Sequence, residues 1–127
     1  PFLGAACQSA GHIFVDRSNP VAAKNSMAKA VEQLRNGVSV VIFPEGTRTK
    51  TGKLGKFKRG AFLLAMELKL PIVPITISGS YERVKGLRAY PGTIKMTIHP
   101  PVDATTYSMD ESSALLRHTQ EIIRSSL

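Results

Sequence analysis

Acidic residues are scarce. The 127 residues hold 9 Asp+Glu against 17 Lys+Arg, which gives a formal charge of +8 and a pI near 10. Such a balance favours anionic partners. Tryptophan is absent and aromatic residues amount to 6%, whereas single-stranded nucleic acid is generally held on several stacking rings. The single cysteine, Cys7, excludes an internal disulfide framework and a C-x-x-C zinc site, and it fits a reducing compartment. The longest apolar runs, 38–43 and 72–77, fall far short of the ~18 residues that a membrane-spanning helix needs. No signal peptide is visible. Neither G-x-x-x-x-G-K-[ST] nor G-x-G-x-x-G occurs, and no His, Cys, Asp or Glu group has metal-ligand spacing. The rest is of ordinary globular composition, 43% hydrophobic and 20% charged, without repeat, linker or low-complexity tract. Residues 1–127 are therefore expected to form one domain. The chain opens Pro1-Phe2-Leu3-Gly4, with no initiator Met, and this reads as a cut end.

Strand and helix patterns alternate. Ile13-Phe14-Val15 is a short β-rich run. Asn19-Pro20 reads as a helix start, because Asn caps well and proline suits the first helical position. Met27, Ala30, Val31 and Leu34 continue at helical spacing, and Gly37 ends the helix. Val38–Phe43 is a largely apolar, β-branched run of the buried-strand type, broken by Pro44-Glu45-Gly46. Gly60–Leu70 predicts a helix with Phe62, Leu63, Met66 and Leu70 on one face. Ile72–Ile77 predicts a strand in which Pro74 implies an edge or a bulge. Residues 78–91 read as a loop and Ile94–Ile98 as a strand. Ser108-x-x-Glu111 forms a capping box before a helix whose apolar face is Leu115, Leu116, Thr119, Ile122 and Ile123.

This order predicts an α/β domain, a largely parallel sheet flanked by helices. In such sheets the C-terminal strand ends share one edge, and ligands bind there. Arg17 and Arg48 both follow predicted strand ends, so the topology brings them to one place. Residues 48–59 add weight to that edge. They hold Arg48, Lys50, Lys53, Lys56, Lys58 and Arg59 without one acid, over a third of the basic residues in twelve positions. Gly46, Gly52, Gly55 and Gly60 allow close backbone approach to an anion, and the run leads into a helix N-terminus near Gly60. A phosphate-bearing ligand is the natural candidate. An anionic membrane surface would be attracted by the same charge, at roughly 1 kcal/mol per nearby Lys or Arg, and nucleic acid is the rival from another class.

The lone candidates for chemistry are weaker. His12 and Asp16 would be neighbours on a helix, but Ile13–Val15 reads as a strand, where four residues span about 13 Å. His99 lies at a strand end and His118 on the last helix beside Glu121, and both read as structural. Cys7 has no evident activating partner. The residues thus offer an anion site and no convincing general base.

Phe43-Pro44-Glu45-Gly46-Thr47-Arg48 resembles the third sequence block of the glycerophospholipid acyltransferase family. Gly11-His12-Ile13-Phe14-Val15-Asp16-Arg17 resembles the second block, which ends in a phosphate-binding Arg. Residues 52–61 resemble the usual continuation of the third. Pro71-Ile72-Val73-Pro74-Ile75 resembles the fourth, with Val73–Ile75 expected in the core. The resemblance implies a fold of the glycerol-3-phosphate acyltransferase type. It also implies an enzyme that moves an acyl group from acyl-CoA or acyl-carrier protein to the free hydroxyl of a lysophospholipid, with no metal or bound cofactor. Such an enzyme is expected at a membrane surface, on its cytoplasmic face, with no nucleic-acid partner. By the same resemblance Arg17 and Arg48 hold the substrate phosphate, while Glu45, Gly46 and Thr47 shape the glycerol site. The family's first block, Asn-His-x4-Asp, carries the catalytic His and does not occur in these residues. The chain is accordingly expected to be the C-terminal portion of such an enzyme, inactive by itself. The reading set against it is a non-catalytic module that binds anionic lipid or nucleic acid through residues 48–59.

Overall fold

The computed structural model describes the backbone of residues 20–85 and 88–127, with side chains described from Ala28 on, Lys85 excepted. The chain divides into two compact units, Pro1–Val41 and Ile42–Leu127. The described part of the first unit, residues 20–41, is built on helix α1, Pro20–Arg35. Gly37 closes it at φ 80°, with Val38 N–H donating to the Gln33 carbonyl and Gly37 N–H to that of Leu34. This is the Schellman arrangement, in which a left-handed residue lets two late N–H groups reach back to otherwise unpaired carbonyls. The predicted strand 13–15 and the Asn19 cap lie outside the described residues.

The second unit is built on helix α2 (Gly60–Glu67), strand β1 (Ile75–Ser78), the short helix α3 (Ser80–Arg83), strands β2 (Val84–Lys85), β3 (Arg88–Ala89) and β4 (Lys95–Ile98), and helix α4 (Ser112–Arg124). Two 3-10 turns, Ala104–Thr106 and Met109–Glu111, lead into α4. Its core joins Phe57, Phe62, Ala65, Met66, Val102, Ala104 and Leu115, with Leu115 fully buried. Phe62 and Met66 face inward as predicted, whereas Leu63 is exposed at the edge of the apolar face. On α4 the predicted face holds: Leu115 and Thr119 are buried, and Leu116, Ile122 and Ile123 pack against the core.

The fold is of the mixed α/β class, but the described strands do not pair in parallel. β1 runs antiparallel to β4, with Ile75 opposite Ile98 and Ile77 opposite Met96, and β2 runs antiparallel to β3. The physical reason is the connection. A parallel pair needs a long crossover, and the 78–91 segment, read as a loop, instead contains only one turn of helix and a narrow hairpin before β4 returns alongside β1. Residues 38–43 carry no ladder hydrogen bond among the described residues. Val41 and Phe43 are about three-quarters exposed, so the run has a strand's composition without a strand's neighbours there.

Pro74 marks a break, as expected from its missing N–H. Ile72 bridges Val102 while Ile75 pairs with Ile98, so three residue steps on one side face four on the other. The extra residue lies on the side of His99-Pro100-Pro101, and His99 N–H donates to the Pro74 carbonyl across the bulge. Val73 and Ile75, expected in the core, are instead substantially exposed, because alternation turns Thr76 inward. The capping box is present. Ser108 donates from both its N–H and its hydroxyl to Glu111 Oε2, and these bonds hold the Glu111 carboxyl below its usual range.

Helix α2 ends less comfortably than α1. Leu70 N–H returns to the Ala65 carbonyl and Lys69 N–H to that of Met66, again a Schellman closure, but the left-handed position belongs to Lys69 at φ 53°. A side chain there costs about 1 kcal/mol against glycine. Lys69→Gly is therefore expected to raise the unfolding free energy by roughly 0.5–1 kcal/mol, part of the gain being offset by the greater freedom of glycine in the unfolded chain. Urea unfolding followed by circular dichroism measures it.

Candidate functional site

The basic segment begins as the chain leaves the 42–43 run. Gly46, at φ 73°, turns it, and Gly46 N–H donates to the Phe43 carbonyl. Lys58 N–H donates to the Pro44 carbonyl at 2.7 Å, so the segment that leaves at Pro44 comes back beside it at Lys58. Between these points the loop is pinned at several places. Glu45 Oε2 accepts from Gly55 N–H at 2.7 Å, and the Gly55 carbonyl accepts from Gln120 Nε2 of α4 at 2.9 Å. At the tip, Tyr81 of α3 donates its hydroxyl to the Lys50 carbonyl at 2.9 Å. Its ring lies over Gly52, where a Cβ would come within 2.8 Å. The Thr49 hydroxyl closes a tight turn by donating to the Lys53 carbonyl. Arg59 Nη2 donates to Ser112 Oγ, a buried hydroxyl at the start of α4.

These contacts revise two expectations. Gly52 and Gly55 were expected to open the backbone to an anion; their missing Cβ atoms instead admit the Tyr81 ring and the Glu45 carboxylate. Arg59 is tied to α4. Phe57 is buried and stacks on Phe62, ring centroids 6.2 Å apart, so the one aromatic in the basic run is a core residue and not a platform for a base.

What stays outward is the charge. Arg48, Lys50, Lys53, Lys56 and Lys58 are exposed, and among the described residues the only ion pair is Arg124 with Glu121 on α4. Arg48 makes no hydrogen bond or ion pair among the described residues, which leaves its planar fork of donors available for a bidentate oxyanion contact. Thr47 is exposed beside it, and Glu45 and Gly46 are half-buried. Glu45 commits only Oε2; no hydrogen bond reaches Oε1 among the described residues. At the far end of the loop no side chain caps the N-terminus of α2, so the dipole there adds to the positive field. The structure thus sets Glu45, Gly46, Thr47 and Arg48 together on a braced turn. Arg17, expected to join Arg48, lies outside the described residues, as do His12, Asp16 and Cys7.

The other two histidines serve the fold. Thr76 Oγ1 donates to the Ile123 carbonyl at 3.2 Å and shares a hydrogen bond with His99 Nε2 at 2.8 Å. His118 Nδ1 lies 2.6 Å from the Tyr107 hydroxyl. No group of three or more metal-ligating side chains occurs among the described residues. None of their helices is long and apolar enough to cross a membrane. Tyr81, Ser112 and Gln120 carry no motif in the sequence, and no sequence signal marks them as braces of the loop.

The profile of the Acyltransferase family matches residues 1–78, a stretch that contains this turn and the whole of its basic loop. The chain belongs to the Acyltransferase family. It is 42% identical over 106 residues to a 1-acyl-sn-glycerol-3-phosphate acyltransferase of Pseudomonas aeruginosa, covering 82% of this chain and 41% of that protein. It is 39% identical over 114 residues to the enzyme of that name from Limnanthes douglasii, covering 87% of this chain and 41% of the relative. Among solved structures it resembles the 1-acyl-sn-glycerophosphate acyltransferase of Thermotoga maritima, with a TM-score of 0.74 and 33% identity over 82% of this chain and 43% of that one. The chain thus spans about two-fifths of the length of these acyltransferases. The family match ends at residue 78, so Tyr81, Ser112 and Gln120 lie beyond it.

Proposed function

We propose that the protein transfers an acyl group to the free hydroxyl of 1-acylglycerol 3-phosphate, giving phosphatidic acid. The observation that carries this reading is Arg48: an exposed guanidinium without a protein partner among the described residues, fixed on a braced turn within the family's matched region. Its fork matches a phosphate monoester in geometry and charge. Arg17 is proposed as its companion. Glu45, oriented through Oε2, keeps Oε1 to accept a hydrogen bond from the glycerol hydroxyl, while Gly46 and Thr47 line that site. Holding the headgroup at two ends aligns the free hydroxyl for attack, and such positioning accounts for much of the rate in a two-substrate reaction.

The donor is a thioester of coenzyme A or acyl-carrier protein. The hydroxyl oxygen forms the new ester bond to the acyl carbon, the carbon–sulfur bond breaks, and the hydroxyl proton leaves through a general base and ends on the thiol. The family's Asn-His-x4-Asp block, which supplies that base, is not in these 127 residues, so the 127 residues alone are proposed to be inactive. The charge of the basic loop supports a location at an anionic membrane surface, on its cytoplasmic face, where the lipid substrate resides.

The test supplies 1-oleoylglycerol 3-phosphate and oleoyl-CoA to the protein expressed from its natural reading frame, and separately to residues 1–127. The first is expected to release one thiol per phosphatidate formed and the second to release none. No phosphatidate from the first would sink the activity. Turnover by the second would return the role of base to His12.

A further inference from the structure

Gln120 lies on α4, beyond the family match and far in sequence from the phosphate turn. Its side chain nevertheless ends on that turn's own brace. Gly55 is held on both sides, its N–H by Glu45 Oε2 at 2.7 Å and its carbonyl by Gln120 Nε2 at 2.9 Å. The carboxylate sits close against this glycine, where a Cβ would lie 2.6 Å from Glu45 Oε2. We infer that Gln120 is a positioning residue for the acyl acceptor: through Gly55 it fixes the Glu45 carboxylate and with it the turn that presents Arg48.

The physical argument is one of constraint. Glu45 and Arg48 flank Gly46, whose positive φ makes this part of the turn soft in isolation. Glu45 can orient a hydroxyl only if its own carboxylate is oriented, and the single described bond that does this comes from Gly55. Gly55 is itself a loop glycine, and its carbonyl is steadied from outside the loop by Gln120. Helix α4 is a firm base for that support: Leu115 and Thr119 bury its inner face, and Arg59 ties the end of the loop to Ser112 at the start of the same helix. Helix α4 thus grips the loop at two points, Gly55 and Arg59, and the acceptor-binding residues lie upstream of both.

The inference rests on the phosphate-site reading above, and the experiment separates the two. Gln120→Leu keeps the size of the side chain and removes the donor. Gly55→Ala displaces the Glu45 carboxylate, the flexible end of a side chain, from the other side. Each is examined in the protein expressed from its natural reading frame, with 1-oleoylglycerol 3-phosphate and oleoyl-CoA, beside Arg48→Ala. A net hydrogen bond of ordinary strength corresponds to about a five-fold effect. Both variants are expected to raise KM for the acceptor about five-fold, to leave kcat within about twofold, and to speed amide exchange across residues 52–58. Unchanged exchange in Gln120→Leu overturns the brace. Faster exchange with an unchanged KM, or a fall in kcat alone, overturns the positioning role. Arg48→Ala judges the phosphate site separately: wild-type KM in that variant refutes the site while the exchange result still decides the brace.

Discussion

Arg48→Ala is expected to lower kcat/KM for 1-acylglycerol 3-phosphate by about 10- to 150-fold in the protein expressed from its natural reading frame, with the fold intact. The magnitude follows from charge-assisted hydrogen bonds to a phosphate, typically worth roughly 1.5–3 kcal/mol. The fold should survive because Arg48 is exposed and supports no other described group. Arg48→Lys should recover only part of the loss, since an ammonium cannot reproduce the planar fork. Lys50→Ala and Lys53→Ala should cost less. Their backbones hold the loop, through the Lys50 carbonyl to Tyr81 and the Lys53 carbonyl to Thr49, and these contacts survive truncation of a solvated side chain. Steady-state kinetics at two salt concentrations, with circular dichroism as the folding control, makes the comparison. Full activity in Arg48→Ala with a deficit in Lys53→Ala would move the phosphate site out to the tip of the loop.

The largest effect on stability is expected from Leu115→Ala. Leu115 is completely buried and belongs to the cluster in which α4 meets α2 and the segment around Val102 and Ala104. Removing three carbons from a core of this kind costs the transfer free energy of the side chain and adds a cavity, together about 3 kcal/mol within a range of 2–5. The loss belongs to the unit Ile42–Leu127. With no tryptophan to report unfolding, far-ultraviolet circular dichroism in urea is the suitable probe. A midpoint within experimental error of the parent would mean that α4 does not carry this core. Because α4 also holds Gly55 and Arg59, the same variant should loosen the basic loop well before global unfolding.

The sequence makes the local features legible. The end of α1 at Gly37, the Ser108–Glu111 capping box and the inner face of α4 are written in residues three or four apart, where side chain and backbone interact through the chain itself. The turn from Phe43 to Arg48 is legible for a different reason, as six consecutive residues with a family resemblance. What the sequence hides is set by distance along the chain. The Glu45–Gly55 bond spans ten residues, Tyr81 reaches back 31, Arg59 reaches forward 53 and Gln120 reaches back 65. No periodicity registers such pairs. Pro74 announced an interruption but not which strand would carry the extra residue, because the bulge depends on the partner strand with its Pro100-Pro101. The crossover rule concerned the runs 13–15, 38–43 and 72–77, the first of which lies outside the described residues; β1 and β4, which do pair, are joined by the 78–91 connection, which contains no crossover and leaves them antiparallel.

Phe57 sits in the core while Lys56 and Lys58 stand outside it, and this alternation has an electrostatic consequence. In an extended segment the two lysines project to the same side at a spacing of about 7 Å. Unlike lysines on a free tail, their backbone positions cannot drift apart, because the ring between them is anchored in the core. At that spacing in water the repulsion is roughly 0.6 kcal/mol, and the distance is shorter than the physiological screening length of about 8 Å. Dissolved salt therefore weakens this pair only in part, and this face keeps a positive potential at physiological ionic strength. An anionic group arriving there is attracted by both charges at once, an attraction that shrinks as the ionic strength of the medium rises.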